Sequence, residues 1–325
     1  MKGHIIGLLR DKNAFMSGEE ISRALGITRA GVWKKMKILR QTGYSIEAVP
    51  SKGYKLLSGP DIPTKEEINA VFKGDIIGRE IIFFKVTSST NDRAMEIGQQ
   101  GKGADGTVVI ADEQEHGRGR LGRKWKSPPG VNLYFTVLLK PPFYPKEASI
   151  FTFMAAVAVV SAVREYLGLN AVIKWPNDIL IGGKKVSGIL TEMKSDMDRI
   201  NFVAVGIGVN VNMPLSSLPG EIRLTATSLK KEKGEAVNRV ELLGRILSGF
   251  EYWYKAVLAG KKKALLNEWL RFDSTVGSKI RVKAQDRFIS GIAEAINDRG
   301  ELVVRLSEGK VETVSAGEVT ILKHR

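Results

Sequence analysis

Two stretches carry most of the side chains able to do chemistry on an anion. Residues 117–125 read GRGRLGRKW, and residues 174–190 read KWPNDILIGGKKVSGIL. In the first, Arg118, Arg120 and Arg123 supply planar, permanently charged donors that match phosphate and carboxylate. Gly117, Gly119 and Gly122 let the backbone approach a ligand closely. Trp125 offers a flat face to a base or another ring. The second stretch adds Lys174 and Lys185. Taken alone, the arginine stretch has a lesser alternative reading as a mobile basic surface loop.

Composition removes other chemistries. The chain of 325 residues has no cysteine, which excludes disulfides and thiolate metal sites and fits a reducing cytoplasm. Its three histidines, His4, His116 and His324, are far apart in sequence, so neither a zinc site nor a Ser-His-Asp arrangement is expected. There is no G-x-x-x-x-G-K-[ST], and GIGVN at 206–210 fails G-x-G-x-x-G. Catalysis would have to run on positioned cations. No signal peptide is expected, and the apolar run Ile150–Val163 is expected to be too short and too rich in alanine and serine to span a bilayer.

The elements that must hold these residues follow from periodicity. Residues 79–87, 106–112 and 132–139 read as strands, and residues 146–167 as a long buried helix. A hairpin is expected to turn at Gly182–Gly183, with the chain path fixed before it at Trp175–Pro176. Residues 199–212 read as a buried strand ending in a glycine-asparagine turn, and Asn238 with Glu241 opens a further helix as a capping box. The order suggests a mixed, mostly antiparallel sheet with packed helices. From Thr275 short β segments follow, with turns near Asp286, Asn297–Gly300 and Glu308–Gly309, which read as a small barrel of about five strands.

Residues 1–60 differ from the rest. They hold eleven Lys/Arg against four Asp/Glu, a net of +7 out of +15 for the whole chain. Ser17 and Glu20 form a capping box, and Ile21, Ala24 and Leu25 give the helix an apolar face before Gly26 stops it. Thr28 caps the next helix, which buries Val32, Met36 and Leu39 and turns Arg29, Ala30, Trp33, Lys34 and Lys37 outward. Two short strands follow around a Pro50–Gly53 turn that carries Lys52. This is the pattern of a winged helix-turn-helix. Its second helix would enter the major groove of DNA, and Lys52 would meet phosphate. Ser58–Thr64, with two prolines and a glycine, reads as a linker.

SSTN at 88–91, the two basic stretches and VGIGVNVN at 205–212, in that order, closely resemble the biotin protein ligases. The N-terminal reader extends the resemblance to the bifunctional type, both ligase and biotin-responsive repressor, so that it covers the whole chain. It implies an α+β protein in three parts: a winged helix-turn-helix over 1–60, a class II synthetase-like mixed sheet with helices over 65–272, and an SH3-like barrel over 273–325.

The activity implied is formation of biotinyl-5′-AMP from biotin and ATP, with Mg2+ expected, followed by transfer of biotin to a lysine of a biotin carboxyl carrier protein. The resemblance assigns biotin to Ser89, Thr90, Asn91, Gln114, Arg118, Gly119, Arg120, Lys185 and Gly188. It assigns ATP to Arg123, Trp125, Lys174, Asn177 and Asn210. Lys185, Arg118, Arg120 and Asp178 are the implied catalytic residues, and the metal ligands stay unassigned. Operator DNA, a homodimer when adenylate is bound, a cytoplasmic location and no membrane complete the expectation. Two rival readings use the same parts: a ligand-sensing repressor without catalysis, and a lipoate-type ligase.

Overall fold

The computed structural model describes residues 2–284 and 287–322. The chain divides into two compact units, Met1–Lys73 and Gly74–Arg325.

In the first unit, α1 (Lys2–Lys12), α2 (Gly18–Leu25) and α3 (Arg29–Gln41) precede a hairpin of β1 (Ser45–Val49) and β2 (Gly53–Ser58). The caps form as the sequence requires. Ser17 accepts from Glu20 N while the Glu20 carboxylate accepts from Ser17 N, and Gly26 sits at φ 62°. Thr28 caps α3, whose inner face is Val32, Met36 and Leu39. One detail differs: Ile21 is fully buried and Leu25 packs against the same core, but Ala24 is exposed. The linker expected at Ser58–Thr64 gives way to α4 (Lys65–Val71), which stays with this unit. The nearly buried Glu67 carboxylate accepts from Arg10 Nη2 and Tyr44 Oη, each at 2.5 Å. Beside this carboxylate, burial first and then the Glu67 hydrogen bond push the Tyr44 phenol above its usual range.

The second unit is built on a seven-stranded sheet. In chain order its elements are β3 (Ile81–Thr87), α5 (Thr90–Gln99), β4 (Thr107–Gln114), β5 (Leu133–Leu139), α6 (Ser149–Leu167), β6 (Ala171–Lys174), β7 (Asp178–Ile181), β8 (Lys184–Ser195), β9 (Ile200–Val209), α7 (Gly220–Thr225), α8 (Leu229–Lys233), α9 (Arg239–Leu258) and α10 (Lys262–Phe272). The strand order is β3-β4-β5-β9-β8-β7-β6, with β3 and β4 parallel and all other pairs antiparallel. This is the mixed sheet expected. The β7–β8 turn falls on Gly182 and Gly183, both at positive φ (56° and 76°), the conformation a two-residue hairpin loop demands. At the start of α9, Asn238 caps Glu241 N, while the Glu241 carboxylate engages Arg245 one turn on.

Contrary to expectation, Ile150–Val163 is not part of too short an apolar segment. That run lies inside a helical segment, Pro145–Leu167, which is long and apolar enough to cross a membrane by length and composition. Its apolarity serves packing instead: α6 lies between the sheet and helices α9 and α10, with Phe151, Met154 and Val157 fully buried. Strands β10 (Lys279–Ala284), β11 (Arg287–Ile296), β12 (Leu302–Arg305), β13 (Val311–Val314) and β14 (Glu318–Ile321) form the antiparallel C-terminal sheet, in the order β13-β12-β11-β10-β14. Gly300 and Gly309 turn at positive φ as expected. The turn expected near Asp286 lies outside the described residues. Trp175 ties this sheet to the larger one, its indole donating to Gly300 O at 3.0 Å.

Candidate active site

One end of the large sheet opens into a cavity of about 220 Å³. It brings together Ser89, Thr90, Asn91, Gln114, Arg118, Gly119, Arg120, Arg123, Trp125, Lys174, Asn177, Asp178, Lys185 and Gly188, residues that span 100 positions of sequence.

The polar end lies at the start of α5. Ser89 is its N-cap residue, yet its hydroxyl makes no cap bond. Gln114 Oε1 accepts from Thr90 N at 2.9 Å and Thr90 Oγ1 at 3.2 Å, while Gln114 Nε2 donates to Ser127 Oγ. Asn91 Nδ2 donates to Leu190 O at 3.1 Å and Glu192 Oε2 at 2.8 Å. The Thr136 hydroxyl bridges Asn91 Oδ1 and Thr90 Oγ1 at 2.7 and 2.8 Å. One N–H of Gln114 and one lone pair of Asn91 Oδ1 therefore remain, a donor and an acceptor fixed in orientation.

The floor is glycine. A Cβ on Gly206 would lie 2.0 Å from Asn91 Oδ1, and one on Gly208 would lie 2.7 Å from the Trp125 ring. Gly188 on the neighbouring strand meets the same ring, with its Cβ position 3.2 Å away. Trp125 thus packs close over β8 and β9 because Gly188 and Gly208 carry no side chain. Its Nε1 is buried with no hydrogen-bond partner among the described residues. Gly206 and Gly208 were not singled out as site residues by sequence. The signal was present, since glycines two apart in a strand share a face.

The charged end is crowded. Six Lys/Arg side chains and two carboxylates line the cavity. Lys185 Nζ lies 2.5 Å from Asp178 Oδ1 and 5.4 Å from the Trp125 ring centre. Burial pulls Lys174 below the usual lysine range, with Asp178 opposing and Lys185 reinforcing the shift. Burial likewise lowers Arg120, whose Nη1 donates to Asn177 Oδ1 at 3.0 Å. Arg123 pairs with Glu318 of β14, which raises the guanidinium and lowers the carboxylate. Glu318 and Gly317 carry the C-terminal sheet into the cavity wall.

The arginine stretch forms a folded-back arm. Gly119 N donates to Arg123 O, Trp125 N donates to Gly117 O, and exposed Leu121 stands at its tip with φ 56°. Arg118 reaches Asp92 at 2.5 Å and Glu192 at 3.0 Å, on the rim beside Asn91.

Asn210 does not join this group. It is buried, its amide donates to Thr227 O at 3.1 Å, and it does not line the cavity. The expectation that it is a polar neighbour of adenine is corrected accordingly: Asn210 ties β9 to the chain leading into α8. Asn212 closes a two-way bond with the Val237 backbone. Arg223 of α7 is held by the Ser216 and Leu218 carbonyls, and its neighbour Ile222 is the α7 residue that lines the cavity.

A donor-acceptor pocket, a ring-sized glycine floor and a cluster of cations define an enzyme that activates a small carboxylate with a nucleotide, in a chain that also carries a winged helix. Comparisons agree. Residues 83–212 match the Biotin/lipoate A/B protein ligase family, residues 3–55 an HTH domain, and residues 275–322 the Biotin protein ligase C terminal domain. The chain is 38% identical over 304 residues to the bifunctional ligase/repressor BirA of Bacillus subtilis (strain 168), covering 94% of this chain and 93% of that protein. It is 27% identical to the Escherichia coli (strain K12) protein of the same name, covering 98% and 96%. The biotin protein ligase of Aquifex aeolicus, solved with biotin and ATP, superposes with a TM-score of 0.64 at 29% identity, covering 76% of this chain and all of that one. The chain belongs to the biotin protein ligase family, in its bifunctional ligase/repressor form.

Proposed function

We propose that this cavity joins biotin to AMP and then passes biotin to a lysine of a biotin carboxyl carrier protein. The convergence of fixed urea-type partners (Thr90, Asn91, Gln114) and the Lys174, Lys185 and Arg120 cations on one cavity carries this reading. A cyclic urea offers two N–H donors and one carbonyl, which suits the free Asn91 lone pair and the free Gln114 N–H. Ser89 completes that end, and Gly188 lets the ring system lie close to β8.

Lys185 bridges the biotin carboxylate and the α-phosphate. The carboxylate oxygen attacks phosphorus, pyrophosphate leaves, and biotinyl-5′-AMP stays under the arm formed by Arg118, Gly119 and Arg120. The carrier's neutral lysine amine then attacks the acyl carbon, and AMP leaves. Both steps move negative charge between oxygens, so fixed donors in a sheltered site supply the acceleration. Arg123 and Lys174 hold phosphates, Trp125 stacks on adenine, and Asn177 holds Arg120 in place. Asp178 keeps Lys185 aimed and orients the incoming lysine amine, whose proton passes to solvent as the amide forms.

Among the described residues no three His, Cys, Asp or Glu side chains gather into a metal group. Asp178 and Glu318, at the cationic end, fit the one or two carboxylates that a magnesium ion arriving on a triphosphate requires. When bound there, such an ion would supply positive charge against the pyrophosphate leaving group.

Residues 1–60 read operator DNA through Arg29, Ala30, Trp33, Lys34, Lys37 and Lys52, the second unit from Gly74 to residue 272 carries the chemistry, and residues 273–325 close the nucleotide end. One winged helix covers a half-site, so repression of biotin genes calls for a homodimer, favoured when adenylate is bound. The setting is cytoplasmic, with no membrane involved. Incubation with ATP and either biotin or lipoate tests the enzyme: biotinyl-AMP alone supports this reading, lipoyl-AMP overturns the substrate, and no adenylate leaves a ligand-sensing repressor.

A further inference from the structure

The outward face of α3 holds one large apolar group. Trp33 is 60% exposed, with Ala30 exposed one turn before it and Arg29, Lys34 and Lys37 around it. Lys37 Nζ lies over the indole, 5.6 Å from its centre, so the exposed ring sits among the cations of this face. The buried face of the same helix is complete without it, since Val32, Met36 and Leu39 fill the core. Phosphate and sugar give an indole little to gain. In the major groove the one apolar feature on a base edge is the thymine C5-methyl group. Arginine and lysine read guanine edges, so they do not duplicate this contact. We infer that Trp33, with Ala30 beside it, reads thymine methyl groups in the operator, so that the protein selects T at defined positions and not merely duplex DNA. This rests on the reading of the N-terminal unit as the DNA reader.

The test uses the full-length protein with biotin and ATP and a duplex selected by it from a random pool. Each thymine is replaced in turn by deoxyuracil, which removes only the methyl group. At one or two positions per half-site the replacement should weaken wild-type binding about fourfold, the transfer value of one buried methyl. Trp33→Ala should bind more weakly and should no longer distinguish thymine from deoxyuracil there, while keeping the salt slope set by its cations. Trp33→Gln should behave likewise, and because the site is exposed both variants should keep the wild-type unfolding temperature. If no deoxyuracil weakens wild-type binding, or if Trp33→Ala keeps the same sensitivity at the same position, the assignment is overturned. It is equally overturned if Trp33→Ala leaves DNA affinity intact and alters only self-association, which makes the indole a protein contact. A wild-type protein that selects no duplex at all overturns the DNA reading itself.

Discussion

Lys185 Nζ and Asp178 Oδ1 face each other at 2.5 Å from adjacent strands, directly beside the Trp125 ring. The pair keeps a flexible ammonium aimed at the cavity, beside the ring that lines it. Removing Lys185 deletes the bridging donor and leaves a carboxylate where phosphate must bind. Lys185→Ala should slow single-turnover formation of biotinyl-AMP about 100- to 1000-fold, the usual loss for one transition-state donor. Biotin affinity should change only a few-fold. An adenylation rate within a few-fold of wild type would remove Lys185 from the chemistry.

Arg118 gives a separate expectation. Its pairs with Asp92 and Glu192 are partly exposed and worth at most about 1 kcal/mol to folding. Arg118→Gly should therefore leave the unfolding temperature nearly unchanged while loosening the arm over the adenylate. Released adenylate would biotinylate bystander lysines. Labelling of an unrelated protein mixed with the variant measures this, and retained carrier specificity would show that the arm is not a lid.

Lys174 carries a pH signature. Its folded-state value is lowered by burial, so at pH values between the folded and unfolded pKa the unfolded chain binds more protons. This contribution makes stability rise with pH through that window, just below the ordinary lysine range, while the charge needed for phosphate is lost. The KM for ATP should climb on the alkaline side earlier than for an ordinary lysine. Lys174→Arg should abolish that alkaline rise because arginine stays protonated. Lys174→Met should raise the unfolding temperature and weaken ATP, since it removes a buried charge. ATP titrations from neutral to alkaline pH, with thermal melts, check both.

The glycine floor can be split by substitution. Gly206→Ala places a methyl against Asn91, and Gly208→Ala places one against Trp125. The first should raise the KM for biotin and the second that for ATP, each on the order of tenfold to 100-fold, as small misplacements at reacting centres do. Both variants raising the same KM would refute the division of the cavity into two ends.

The sequence made local physics visible and left long-range geometry hidden. Caps at Ser17 and Thr28 and the Gly182–Gly183 hairpin depend on neighbours a few residues away, and all formed as read. The basic stretches and SSTN could be grouped only because their order resembled a family. Nothing local told that Glu318, 195 positions from Arg123, would close on it. Asn210 and Asn177 look alike in sequence. Which of them faces the cavity is decided by what each amide bonds, Thr227 O for one and Ile189 O for the other, and by where those partners sit. Helix α4 was hidden behind prolines, and its attachment depends on Glu67 meeting residues 57 and 23 positions earlier.

That attachment decides where the chain can be cut. A truncation after residue 60 would leave α4 without its partners. Glu67, 3% exposed, and Ile68, fully buried, would then face water at the new N-terminus. A truncation after Lys73 removes the whole first unit together with its carboxylate clasp. Both truncated proteins should lose operator binding, because Arg29, Lys34, Lys37 and Lys52 are gone and with them the counterion release that drives association. Both should keep most adenylation activity, since every cavity-lining residue lies in the second unit. They should differ in solution behaviour. The protein beginning at residue 61 should scatter more light on heating than the one beginning at Gly74, because it exposes the apolar side of α4. Electrophoretic mobility of operator DNA, adenylate formation and light scattering, measured side by side, check the three statements. Operator binding by either truncated protein would place the reader outside the winged helix, and equal scattering would mean that α4 has no need of the clasp.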